Sequence, residues 1–220
     1  MPSVINPQLN ETLAPYQFDN NVTISGSNVA GGTTSLSPSA VGFKAWNYPV
    51  LLAQGTGTAT TAQSLYLMEV NLSTGTAFSN VYFYAASAPA AVPSTTASFA
   101  GVYQVTNSST AVLVASTAQI GTSISTTSGF KTCALTAQFT TNTTGQYYVG
   151  VLIGTGTQVA FGTPNGATAV TTGPTVAAGL ATAASYPFAL NGTSLTTLPA
   201  TVTTTSNALT NALAIWCGLG

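Results

Sequence analysis

The chain has 220 residues, and only five carry a full charge: Glu11, Asp19, Lys44, Glu69 and Lys131, with no arginine and no histidine. A typical soluble domain is about one-quarter charged, so the usual stock of general acids, bases, metal ligands and phosphate binders is missing. Nucleic acid and anionic membrane surfaces, which need several Lys or Arg, are disfavoured as partners, and structure or adhesion becomes the first reading.

Residues 1–45 read as an extended N-terminal docking arm. Pro2, Pro7, Pro15 and Pro38 sit among Asn, Ser and Gly with few large apolar residues, and one short strand is expected at Asn21–Ser25. A segment too poor in core residues to fold alone either docks on a neighbour or is a flexible terminus. The body, residues 46–220, opens near Ala45-Trp46-Asn47-Tyr48-Pro49. In Tyr66, Met68, Val70 and Leu72 every second residue is apolar, with Glu69 and Asn71 on the other face, the period of a half-buried strand. Val81-Tyr82-Phe83-Tyr84 is apolar on both faces and reads as a central strand. Phe99–Tyr103 and Ala111–Val114 form the next pair, with Asn107-Ser108-Ser109 as hairpin loop.

Cys133, Leu135, Ala137 and Phe139 share one face, which places Cys133 inside; Tyr147, Val149, Val151 and Ile153 repeat the alternation. Val159–Phe161 is a shorter candidate, ending at the turn Pro164-Asn165-Gly166. Ala167–Ala184 is low in large side chains and reads as loop, and Tyr186–Leu190, Thr201–Thr205 and Leu213–Cys217 are the last strand candidates. Nothing reads as a long amphipathic helix. Many short strands with polar turns indicate an all-β fold, an antiparallel β-sandwich or jelly roll.

More than a quarter of the residues are Ser or Thr, so hydroxyls replace ions as the solvating groups. A net charge near zero favours association. No run of about 18 apolar residues provides a membrane span, so no membrane insertion is expected, and the first residues lack the basic and apolar regions of a secretory signal.

No residue is assigned a catalytic, cofactor or metal-binding role. A Ser or Cys nucleophile needs a base, and without histidine only Lys44, Lys131 or a carboxylate remains. Glycoside hydrolysis needs two carboxylates, and Glu69 is the only acid of the body, on the outward face of a strand. Cys133 and Cys217 are too few for a disulfide framework and read as buried thiols, with pairing left open. Gly-Thr-Gly-Thr at Gly55 and Gly154 lacks the lysine of a phosphate loop and reads as turn chemistry. Six glycosylation sequons, the first at Asn10, barely exceed chance. Trp46, Tyr48, Tyr148 and Trp216 are candidates for sugar stacking or interface anchoring, with core packing as the favoured reading.

The succession Ala45-Trp46-Asn47-Tyr48, Ser64-Leu65-Tyr66-Leu67-Met68-Glu69-Val70, Val81–Tyr84, Phe99-Ala100-Gly101-Val102-Tyr103, Gly129–Leu135 and Gly145–Val151 resembles a β-sandwich module of virion proteins from tailed phages that infect actinobacteria. The resemblance covers about residues 45–162. It implies a non-catalytic virion part, minor tail, fibre or head-decorating, made in the host cytoplasm and commonly trimeric. The partners it implies are the chain itself and other virion proteins through the arm. A host cell-surface glycan is a further candidate, and a carbohydrate-binding module is the alternative from outside the virion class.

Overall fold

The computed structural model describes residues 37–53, 57–124, 126–164, 186–209 and 212–220. The arm up to residue 36, the strand expected at Asn21–Ser25, Gly55 and Thr56 of the first Gly-Thr-Gly-Thr motif, Asn165 and Gly166 of the expected turn, and the loop Ala167–Ala184 lie outside the described residues. The compact unit that holds every described element runs from Thr34 to Gly220.

Among the described residues ten strands appear in chain order: β1 (Ala45–Trp46), β2 (Leu65–Leu72), β3 (Ala77–Ala85), β4 (Phe99–Asn107), β5 (Thr110–Ser116), β6 (Gly129–Thr140), β7 (Gly145–Leu152), β8 (Phe188–Leu190), β9 (Thr201–Thr203) and β10 (Cys217–Leu219). One short helix, α1 (Gly121–Ile124), precedes β6. No helix among the described residues is long and apolar enough to cross a membrane.

The strands form two antiparallel sheets, one of four strands in the order β1-β10-β3-β6 and one of six in the order β8-β2-β7-β4-β5-β9. The pairs β1·β10, β2·β7, β3·β6 and β4·β5 nest inside one another along the chain. That nesting is a long hairpin wound into two facing sheets, the topology of a jelly roll. β8 and β9 extend the two edges of the larger sheet. The fold is therefore an all-β antiparallel sandwich, as the alternating runs indicate.

The main core lies between the sheets. Tyr66, Met68, Val70 and Leu72 of β2 and Tyr147, Val149 and Val151 of β7 meet Val81, Phe83, Cys133, Cys217 and Leu219 of the smaller sheet. A second apolar layer, which the sequence pattern does not announce, covers the other face of the larger sheet. There Leu65, Leu67, Tyr103, Ala111, Tyr148, Leu152 and Val202 are buried, with Leu195 and Leu198 packed against them. Each such aliphatic side chain contributes about 1.5–3 kcal/mol when fully buried. β2 and β7 are thus buried on both faces, not one. Gly101 and Gly150 pair across β4 and β7 and make room for this cover: a Cβ on Gly101 would stand 2.7 Å from Leu113 and 2.8 Å from Leu198.

Two strand expectations are corrected. The last strand is Cys217–Leu219 rather than Leu213–Cys217, because residues before it are held by side chains of the β1 region: Asn47 Nδ2 donates to the Ile215 carbonyl at 2.7 Å, and Tyr48 Oη to that of Ala214 at 2.9 Å. Val159–Phe161 makes only isolated bridges, Ala160 to Ala59 and Phe161 to Ala85.

Candidate functional site

Two features of the sandwich present chemistry to solvent: an aromatic face and a charged cleft. Register fixes the first. On the outer side of the smaller sheet, Trp46 aligns with Gly218, Gly218 with Tyr82, and Tyr82 with Thr132. Tyr84 aligns with Phe130. Phe43 reaches this face from a 3-10 turn at Pro38–Val41, which Gly42 closes at φ 86° and Ser37 caps through its hydroxyl. The Phe43 ring centroid stands 5.1 Å from that of Tyr82, 5.5 Å from Trp216 and 6.1 Å from Trp46. The Phe130 ring lies 5.5 Å from Trp216 and 5.4 Å from Tyr84. Gly218 gives Trp216 and Phe43 their seat, since a Cβ there would come within 3.0 Å of the Trp216 ring.

Trp216 is fully buried under these rings, whereas Phe130 is 55% exposed. Most of the ring pairs are edge-to-face, a favourable arrangement worth about 0.5–1.5 kcal/mol beyond area. The rings brace each other and leave an uncharged apolar rim at Phe130, Tyr84 and Tyr82.

The cleft lies at the open side of the sandwich, between β1 and the β2–β8 edge. Its volume is about 560 Å³, and Lys44, Trp46, Glu69, Asn71, Pro187 and Phe188 are among its lining residues. Burial holds the Glu69 carboxyl above the usual carboxylate range; hydrogen bonds from Asn71 and Gln146 oppose this. Glu69 is therefore half-buried beside the cleft, not the fully solvated strand residue expected from alternation. Its backbone N–H donates to the Pro187 carbonyl at 2.8 Å, which ties β2 to the segment entering β8.

The remaining sequence candidates fall inside. Tyr148 is fully buried in the second apolar layer, where its hydroxyl donates to the Tyr186 carbonyl at 3.3 Å and accepts from Gln146 Nε2 at 3.0 Å. Tyr48 is half-buried, and burial pushes its hydroxyl well above the ordinary range. Lys131 points inward from β6, its stem buried and its Nζ donating to Thr127 Oγ1 at 2.8 Å; burial lowers its pKa. Gly154 is a buried loop residue whose N–H donates to Ser98 Oγ.

Cys133 and Cys217 are both buried free thiols. They sit on β6 and β10, with β3 between them. Two strand spacings, about 10 Å, exceed the reach of a disulfide. Among the described residues, no three His, Cys, Asp or Glu side chains gather as a metal cluster.

Phe43 and Phe188, which complete the aromatic face and the cleft, were not singled out from sequence. The signal for Phe43 was its position directly after Gly42 and just before the first strand. No protein-family profile, curated protein or solved structure matches the chain.

Proposed function

We propose that the chain is a non-catalytic structural protein of a phage virion, displayed on the particle surface as a minor tail or fibre-type attachment module. The observation that carries this reading is the aromatic face of the smaller sheet. It is a contact surface without ions, built by Phe43, Tyr82, Tyr84, Phe130 and Trp216 on a jelly-roll frame. Exposed apolar patches of this kind mark interaction sites. Jelly rolls serve in viral capsid and lectin domains, an analogy of fold that leaves function to the site. The arm, residues 1–45, fixes the module to other virion proteins, and the chain assembles as a homotrimer in the host cytoplasm before release.

Sedimentation at micromolar concentration is expected to give three times the 22.0 kDa chain mass; a monodisperse monomer contradicts self-assembly. Deleting residues 1–45 would also remove Phe43 from the aromatic face, so the arm is tested by deleting residues 1–33. The truncated protein is expected to fold and to fail to join particles. Its incorporation at normal copy number refutes the docking role.

A second reading, a carbohydrate-binding module, draws support from the exposed Phe130 ring and from the cleft. A capsid decoration protein is the alternative within the virion class. Copy number separates that from a tail module: hundreds per particle for the capsid, a handful for the tail.

A further inference from the structure

We propose that the open edge of β6 takes the arm of a second copy of this chain as an added strand, centred on Val22–Ile24, so that copies join head to tail. The proposal rests on the self-assembly part of the reading above and names the contact that makes it.

Backbone alternation shows which groups of β6 are open. On β3, Asn80 exchanges hydrogen bonds with Gly220 at 2.8 and 3.1 Å, and the Tyr84 carbonyl accepts the Gly162 N–H at 2.6 Å. Asn80, Tyr82 and Tyr84 therefore turn their backbone polar groups toward β10, and Val81, Phe83 and Ala85 turn theirs toward β6. The partners of those three are Cys133, Lys131 and Gly129. Phe130 and Thr132 are left facing away from β3, at the edge of the sheet. Among the described residues their N–H and carbonyl groups meet no partner. The edge closes only further on, where Leu135 bridges to Thr117 and the Thr136 hydroxyl donates to the Ser116 carbonyl at 3.0 Å.

An open edge is a template for another strand. The outward positions of this one, Phe130, Thr132 and Ala134, carry no charge and no proline, and all three are exposed. The Phe130 ring, 55% exposed, stands at the edge on the outer face of the sheet. An added strand with apolar residues on that face covers it.

Charge selects the occupant. The Lys131 side chain is buried on the inner side of β6, and an inward charge guards an edge against its own copy: pairing β6 with β6 brings two lysines together inside the joined sheet. The arm brings no such conflict. From Asn20 to Ser37 it holds no charge and no proline, and Val22, Thr23 and Ile24 are consecutive β-branched residues, the type that suits a pleated strand. Val22 and Ile24 share one face of such a strand and supply the cover for Phe130. The origin of the arm fits a neighbour. The described chain begins at Ser37, in the turn before β1, and β1 is the opposite edge of the same sheet from β6. Departure edge and acceptor edge lie on opposite sides of one copy, so a head-to-tail arrangement brings them together, and such contacts close into a ring. The stretch from Ser25 to Ser37 spans up to about 40 Å when extended, enough to reach the next copy. Residues 1–20 remain for the particle.

The test compares the full chain with two full-length variants by sedimentation. Thr132→Pro removes an N–H that β3 does not use, a change an edge strand tolerates. Val22→Asp combined with Ile24→Asp spoils the arm. Each variant alone is expected to be a monomer where the parent is a trimer. Mixed, they are expected to form a heterodimer, because one supplies an intact arm and the other an intact edge. The amide hydrogens of Phe130 and Thr132 are expected to exchange about a hundredfold faster in the arm variant than in the parent, a reading that needs no edge variant to fold. The proposal is overturned if both variants keep the mass of the parent, if the arm variant dissociates while a folded Thr132→Pro protein does not, or if the two amides exchange alike in parent and arm variant. Monomers that fail to pair on mixing would show the arm docking on its own copy and overturn the exchange between copies. A parent that is itself monomeric ends self-assembly as well, whereas a trimer indifferent to every variant ends only the arm contact.

Discussion

Asn47 grips Cys217 across 170 positions of chain: its Oδ1 accepts the Cys217 backbone N–H at 3.0 Å. The same oxygen accepts from the Tyr48 N–H at 3.1 Å, and Nδ2 donates to the Ile215 carbonyl at 2.7 Å. One amide therefore aligns the last strand, which lies inside the smaller sheet between β1 and β3, and seats Trp216, whose Nε1 donates to the Tyr48 carbonyl at 2.9 Å.

Replacing Asn47 by Ala leaves two backbone groups of the 215–217 segment without partners. Each such loss costs about 1–3 kcal/mol, so a total of about 2–6 kcal/mol is expected. Chemical denaturation of Asn47→Ala against the parent measures it. A change below about 0.5 kcal/mol, the range of ordinary surface substitutions, would show that the clamp is not structural.

Tyr103 and Tyr148 make a matched contrast. Both are fully buried in the second apolar layer. Among the described residues the Tyr103 hydroxyl has no hydrogen-bond partner, and burial raises its pKa; the Tyr148 hydroxyl has at least two partners. Tyr103→Phe is expected to be neutral or stabilising by about 1 kcal/mol, and Tyr148→Phe to cost about 1–2 kcal/mol. Paired denaturation curves test the opposite signs.

The thiols are expected to be silent in the native state. Burial pushes Cys133 up to about 12, with Lys131 acting in the opposite direction, and raises Cys217 well above the thiol range. The thiolate is the reactive form, so a thiol reagent at pH 8 should label neither cysteine before unfolding and both in denaturant. A mass two hydrogens short, with no labelling in denaturant, would reveal a disulfide and contradict the strand order.

Glu69 gives the stability a pH dependence of defined sign. Its folded carboxyl binds the proton more tightly than the unfolded chain does. Its contribution is therefore fully present below the unfolded value, about pH 4.3, and is lost as pH rises through the higher folded value. The drop in melting temperature between about pH 4 and pH 7 is expected to be smaller in Glu69→Gln than in the parent. An identical drop would show that Glu69 is solvated and uncoupled.

The sequence made the inter-sheet core legible because one-sided strands print their faces as alternation: Tyr66–Leu72, Cys133–Phe139 and Tyr147–Ile153 all announce it. The second apolar layer was hidden. Leu65 and Leu67 share their cluster with Leu195 and Leu198, residues in a stretch without strand or helix, and period-two patterns carry no information about what lies on top of a sheet. The cleft was hidden for a related reason. Lys44 and Glu69 are 25 positions apart in the chain and line one cleft only because β1 and β2 come together at the open side of the facing sheets. Phe43 was obscured by its Gly- and Pro-rich surroundings, which mask a 3-10 turn that folds its ring back onto the smaller sheet.

The central claim is that this protein works by contact as part of a virion surface. Labelling it and imaging intact particles is the most direct test. The expected result is a handful of labels per particle, confined to the tail. Purified particles that carry no label at all would contradict the claim.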